Sequence, residues 1–298
     1  MVEDLLARAL ARISVAAPYF ALSDMTRLPD GGVRATVPHA PAVAPEVGEM
    51  EAAQVARHLA ILGSCAAALE REDDDRHHYL ATSASYARLS TEPLAVGEPI
   101  EAEAAATWRD RRTAYAVATL KTASGRALHQ LECEYTVLKP RMFQRFNAPV
   151  PPEVAERGVG SSLSFDLRAD GDGVEVACGP IPAALCAGHF PDHPAAPVAI
   201  VMGQLCKAAG IGMVTHLGRD HHCYRIESGH VEATGLAQAG QDLTLRAAYD
   251  GADGAHHRMK GVAEADGVTV GRVSVTMSVH APAAEIDLAD ERHGAVAS

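Results

Sequence analysis

Aromatic side chains make up only 4% of the 298 residues, with a single tryptophan. No base-stacking pattern surrounds that residue, Trp108. Basic residues are in the minority, 26 against 38 acidic, for a formal net charge of −12. The summed field repels polyanions, so no partnership with nucleic acid or an anionic membrane surface is expected. The six cysteines include no C-x-x-C pair. Zinc-site spacing is therefore absent, and a disulfide framework is not expected in a chain this long. No stretch reaches the ~20 uninterrupted apolar residues of a membrane span. A Gly-rich phosphate loop, a His-Glu-x-x-His zinc motif and a Gly-x-Ser-x-Gly nucleophile elbow are all missing. Nothing calls for a metal ion or a cofactor. Met1 to Leu10 begins acidic, with leucines at helical spacing, the wrong polarity for a secretory signal. A reduced cytoplasmic compartment is the expectation.

What remains is a globular composition, 48% hydrophobic and 21% charged, with the length of two ordinary domains. Asn147-Ala148-Pro149-Val150-Pro151-Pro152-Glu153 breaks both helix and strand patterns, because its prolines remove donors and restrict their neighbours. The two halves read alike. Each opens with a strand around a Gly-Asp turn, at Asp30-Gly31-Gly32 and at Asp170-Gly171-Asp172-Gly173. Each continues through a Pro/His loop into an apolar helix, about Glu49 to Leu69 and about Ala199 to Leu217. Each ends in alternating strand pairs that turn at Ser124-Gly125 and at Asp266-Gly267.

Matching Pro45 to Pro197 gives an offset of 152, and Gly97 to Gly240 gives 143. That difference predicts a nine-residue surface insertion around Glu70 to His78 in the first half. The expected organisation is an N-terminal half over 1–146, a linker over 147–160, a C-terminal half over 161–280 and a disordered tail over 281–298. The fold class is α+β: two copies of one long central helix wrapped by an antiparallel sheet.

The sharpest local signal is Gly188-His189-Phe190-Pro191-Asp192-His193-Pro194-Ala195-Ala196-Pro197, running directly into the second helix. It resembles the His-Phe-Pro-Gly-His-Pro-x-x-Pro-Gly stretch of the β-hydroxyacyl thioester dehydratases of fatty-acid synthesis. Six positions match: His189, Phe190, Pro191, His193, Pro194 and Pro197. The resemblance covers most of 161–279 and extends more weakly to the first half. It implies the hotdog fold, here as a double hotdog. It also implies an acyl carrier protein or CoA thioester as substrate partner, and allows for a homodimer of double hotdogs.

In that family the first motif histidine takes the proton α to the thioester carbonyl, and a carboxylate fourteen residues on, in the partner copy's helix, handles the leaving hydroxyl. The chemistry needs both, because the α-proton is weakly acidic and hydroxide leaves poorly unless protonated. Fourteen beyond His189 stands Gly203, which cannot donate a proton. Through the proline alignment, Glu51 of the first half occupies the vacated position. The expected catalytic pair is therefore His189 as base and Glu51 as acid, across the two copies.

Gln54 and His58 follow Glu51 along the same helix face, with His58 the runner-up for the acid. Glu49 competes with Glu51 as a first-turn carboxylate. His193 is read as tying the loop down and His39 as a remnant. The oxyanion donors are expected at the second helix start, where Val198 replaces the family's glycine but keeps its backbone N–H. Arg109, Arg111, Arg112, Lys139, Arg141 and Arg145 could grip a phosphopantetheine arm or an acidic carrier, or simply keep a strand edge basic.

The reading that follows is a dehydratase converting a β-hydroxyacyl thioester to the α,β-unsaturated thioester. Two rivals stand beside it: a hotdog acyl thioesterase using Glu51 or Glu49 to activate water, and a non-catalytic acyl-binding subunit, suggested by Gly203 and Val198.

Overall fold

Alanine is the strongest helix former, and two alanine-rich, proline-free apolar runs become the central helices of the protein. The computed structural model describes residues 4–281 except 96, 149, 191, 192, 220 and 221. Nearly all of the expected tail, from 282 onward, lies outside the described residues.

The first half contains α1 (Leu5–Arg12), β1 (Ser23–Arg27), β2 (Val33–Thr36) and α2 (Ala52–Leu69). Strands β3 (His78–Arg88), β4 (Ile100–Trp108), β5 (Thr113–Thr122) and β6 (Ala127–Leu138) complete it. Two short helices, α3 (Pro140–Phe146) and α4 (Pro152–Ala155), cross the proline-rich boundary. The second half runs through β7 (Asp166–Asp170), β8 (Gly173–Pro180), β9 (Ala195–Ala196), α5 (Val198–His216) and β10 (Cys223–Ala233). It closes with β11 (Ala237–Gln238), β12 (Asp242–Asp253), β13 (His256–Ala265) and β14 (Val268–His280).

Twelve strands form one antiparallel sheet in the order β1-β2-β4-β5-β6-β3-β10-β14-β13-β12-β8-β7. The order is a palindrome of the two halves, joined where β3 pairs β10 with Ser85 opposite His230. Sheet alternation places one face inward: in β5 the buried residues are Ala114, Ala116, Ala118, Leu120 and Thr122. Helix α2 packs on β4 and β5, α5 packs on β12 and β13, and the two helices touch each other. Both are long and apolar enough to cross a membrane by length and composition, yet 72% of α2 and 56% of α5 is buried within the protein. They are core helices wrapped by sheet.

The elements also correct the expected internal alignment. Helix α5 begins at Val198 and α2 at Ala52, an offset of 146, while β10 and β3 begin at 223 and 78, an offset of 145. Over the paired strands the offset ranges from 140 to 145, and from α2 to β3 it changes by one, so the nine-residue insertion does not exist; the α2–β3 connection is only two residues longer than its counterpart. Pro45 and Pro197 are not equivalent. Pro197 is the N-cap of α5, whereas the N-cap of α2 is Glu51.

Close packing depends on two helix glycines. A Cβ on Gly63 would lie 2.6 Å from the Tyr135 hydroxyl, and one on Gly210 would lie 2.3 Å from two ring carbons of Tyr224. Tyr224 is 1% exposed and has no room to move. Gly210→Ala is therefore expected to destabilise the fold by about 1–3 kcal/mol. Thermal unfolding should show a midpoint several degrees lower, and an unchanged midpoint would contradict this packing.

Candidate active site

The motif loop that carries His189 is stapled to the opposite half of the molecule. Ala16 N–H donates to the Gly188 carbonyl at 2.8 Å, and Phe190 N–H to the Ser14 carbonyl at 3.2 Å. Gly188 has φ +77°, and a Cβ there would lie 2.3 Å from the Ala16 carbonyl oxygen, so only glycine fits. Phe190 follows with φ +52°, a strained conformation for a bulky residue, costing on the order of 1–3 kcal/mol.

The His189 ring packs against Phe190 at 4.0 Å and meets the Tyr19 ring edge-on at 5.2 Å. Its Nδ1 lies 2.9 Å from the Ala195 carbonyl. A carbonyl only accepts, so Nδ1 carries the proton and neutral His189 presents a bare Nε2 lone pair. No described protein group bonds Nε2. Burial lowers the His189 pKa to about 4, only partly opposed by the Ala195 bond, with His78 and His193 adding small repulsions. The imidazole is neutral at pH 7.

His189 lines a cavity of about 270 Å³ between α2 and α5. The walls are mostly small and apolar: Ala53, Ala56 and Ala60 from α2 face Ala199, Met202 and Gly203 from α5. Val198 and Ala199 also line it. Their N–H groups open α5, where the first amides have no intrahelical carbonyl. An imidazole with an open Nε2 and the opening turn of α5 thus line one chamber. Among the described residues, no aspartate or glutamate lines it.

The residues expected to assist His189 stand elsewhere. Glu51 caps α2 through its backbone carbonyl, its side chain makes no capping bond, and its carboxylate is not among the cavity walls. The corrected offset explains this: the counterpart of Gly203 is Arg57, not Glu51. Gln54 is half-buried on α2 and also lies off the cavity. His58 is buried, with its pKa lowered to about 4 by burial and by the Arg57 charge, and it does not reach the cavity either. His193 is buried and meets the ring of Phe143 edge-on at 5.2 Å. His39 lies near the surface, 2.9 Å from the Glu49 carbonyl. In the basic concentration, Arg109 pairs with Glu134 and Lys139 with Asp75, while Arg111, Arg112, Arg141 and Arg145 are exposed.

Glu49 is locked into a buried network. Its carboxylate pairs with Arg88 and with His129 Nε2, and His129 Nδ1 lies 2.7 Å from the Tyr86 hydroxyl. Burial opposes ionisation, but the His129 bond and the Arg88 charge hold the Glu49 carboxyl down at about 2. Near it, Glu46 accepts the Ala52 N–H at 2.8 Å. Burial raises the Glu46 pKa to about 7 despite that bond. Sequence reading found neither Arg57, Tyr19 and Glu46 nor the Glu49–His129–Tyr86 chain. The offset of 146 that pairs Arg57 with Gly203 comes from the structural helix starts, not from the starts about Glu49 and Ala199 that the sequence suggests. The long-range pairings leave no local pattern.

A scan against protein-family models finds no match, and no curated protein matches the chain. Solved structures do. The tesB protein of Mycobacterium avium subspecies paratuberculosis has TM-score 0.58 at 14% identity, covering 94% of this chain and 99% of its own. The 12:0-ACP thioesterase of Umbellularia californica has TM-score 0.56 at 11% identity, over 84% of this chain and 94% of its own. A conserved protein with hot dog fold from Alicyclobacillus acidocaldarius gives 0.53 at 13% identity, over 88% and 97%. The chain is a double hotdog. These identities establish architecture, and the neighbours named for an activity are thioesterases, not the dehydratases of the motif resemblance.

Two outcomes follow for stability. Glu49→Ala leaves Arg88 and His129 buried without their anion, and should cost about 3–5 kcal/mol in denaturant unfolding. His189 and His58 have folded values of about 4 against an ordinary 6.5. The unfolded chain therefore binds protons first, and stability, full above pH 6.5, is lost as pH falls toward 4. His189→Gln should flatten part of that acid slope in unfolding measured against pH.

Proposed function

We propose that this double hotdog binds an acyl thioester in the cavity between α2 and α5 and hydrolyses it, with His189 as the base. The observation that carries this reading is the composition of the chamber: one imidazole with a free Nε2, helix-start amides and, among the described residues, no carboxylate. That set suffices for thioester hydrolysis. Nε2 takes a proton from water as its oxygen attacks the carbonyl carbon, and the Val198 and Ala199 N–H groups stabilise the oxyanion. The C–S bond then breaks and the thiolate receives the proton from the imidazolium. A thiol has a pKa of about 8.5, so its anion leaves without a separate acid. Hydroxide, the conjugate base of water with pKa about 15.7, does not. Dehydration would require His189 to perform both proton transfers alone. The names of the structural neighbours, an acyl-ACP thioesterase and a tesB protein, support the hydrolytic reading.

The motif from His189 to Pro197 favours dehydration as the second reading. Incubation with a β-hydroxyacyl-CoA separates them: free thiol marks hydrolysis, and enoyl absorbance without thiol marks dehydration. Binding of the thioester with neither product would identify an acyl-binding subunit. His189→Ala should lower kcat/KM by about 10²–10⁴ with the fold retained. Because the active form is neutral His189, kcat/KM should stay level from about pH 8 to about pH 6, falling only as pH nears the His189 value of about 4. Retained turnover in His189→Ala would overturn the proposed role.

A further inference from the structure

Arg57 stands beside the His189 cavity: it does not line the walls, but it packs against Tyr19, which does. The helix offset of 146 makes Arg57 the counterpart of Gly203, so one of the two related positions carries a guanidinium and the other carries nothing. The guanidinium carbon sits 5.6 Å from the centre of the Tyr19 ring. The same ring meets His189 at 5.2 Å, so the cation is no further from the imidazole than those two distances combined.

Its charge meets the face of the Tyr19 ring and, among the described residues, no anion. Among the described residues no carboxylate lies within 4.0 Å of it. Of its five N–H donors, one meets His58 Nε2 at 3.2 Å, while Nε–H is buried with no partner. Arg57 is half-buried, which lowers its pKa, with Tyr19 opposing. Elsewhere the chain pairs its inward arginines: Arg12 with Asp74, Arg88 with Glu49. A desolvated cation left unpaired costs free energy, and an incoming anion recovers it through bidentate, charge-assisted hydrogen bonds. In a protein of net charge −12, an anionic ligand also needs such a local cation to approach at all.

We propose that Arg57 is an anion site beside the His189 cleft, taking an oxyanion carried by the thioester: either a carboxylate on the acyl group or a phosphate on its carrier. The assignment rests on the reading that a thioester occupies the cavity, and it selects anionic over neutral thioesters. Arg57 is a binding and specificity residue, set apart from the base.

The test measures equilibrium binding in the His189→Ala background, which removes turnover, with three probes: hexanoyl-CoA, glutaryl-N-acetylcysteamine and neutral hexanoyl-N-acetylcysteamine. Before Arg57 is changed, at least one anionic probe should bind about tenfold or more tighter than the neutral one. Arg57→Gln should erase that advantage without moving the neutral probe, and Arg57→Lys should keep part of it. Loss confined to hexanoyl-CoA assigns the phosphate; loss confined to glutaryl-N-acetylcysteamine assigns the carboxylate. Raising the salt should weaken the anionic probe only while a cation is present at position 57.

Equal binding of all three probes overturns the proposal, as does a uniform loss in Arg57→Gln, which would mark Arg57 as wall packing. The two readings fail separately. Arg57-dependent selectivity without thioester cleavage by the unmodified chain keeps the anion site and removes the hydrolase; cleavage with selectivity indifferent to Arg57 does the reverse. Failure of every probe to bind removes both.

Discussion

The antiparallel pairing of β3 with β10 is the constraint on which the rest of the structure depends. Each half alone is a six-stranded sheet curled around one apolar helix, with an open strand edge and one exposed helix flank. Joining the edges satisfies the ladder hydrogen bonds and removes a hazard that isolated strands carry. It also brings α2 and α5 side by side, close enough for Gly203 to face Ala53. The cavity exists because that contact is made by small residues. Larger side chains along the same lines would fill it.

The junction relates the two halves by a pseudo-twofold, and the sequence has made its two sides different. One side holds His189 and Tyr19 in the wall of an apolar chamber, with Arg57 behind Tyr19. The other side holds Glu46 at the start of α2 and the Glu49–Arg88–His129–Tyr86 chain, which ties the loop before α2 to the sheet. A fully desolvated ion pair of this kind contributes little net stability while it is intact, and its loss is expensive. Its effect is to hold one arrangement of the loop.

Much of the architecture was legible in the residues. The period-two strands, the Gly-Asp turns and the two apolar helices recur in both halves, because a wrapped helix and a one-sided sheet each impose a periodicity on the chain. His189 was legible too, since its loop is built from neighbours in sequence: Gly188 for the close approach, Ala195 for the Nδ1 bond. The residue equivalent to Gly203 in the first half was not. The prolines near each helix suggested an alignment that placed Glu51 opposite Gly203. Prolines cap and turn at several positions relative to a helix start, so Pro45 and Pro197 serve different roles. Only the helix register, seen in three dimensions, identifies Arg57.

From the amino acids alone came a duplicated α+β chain, acidic and without metal-site spacing, carrying a histidine loop against the second helix. These are properties of local pattern and composition, which a linear chain displays directly. Tertiary structure decided which side chains share the chamber, that no described carboxylate reaches it, and that an unpaired guanidinium stands beside it. Such facts depend on pairing between strands far apart in the chain. A shift of a few residues in the register of a helix rotates a different side chain toward the cleft.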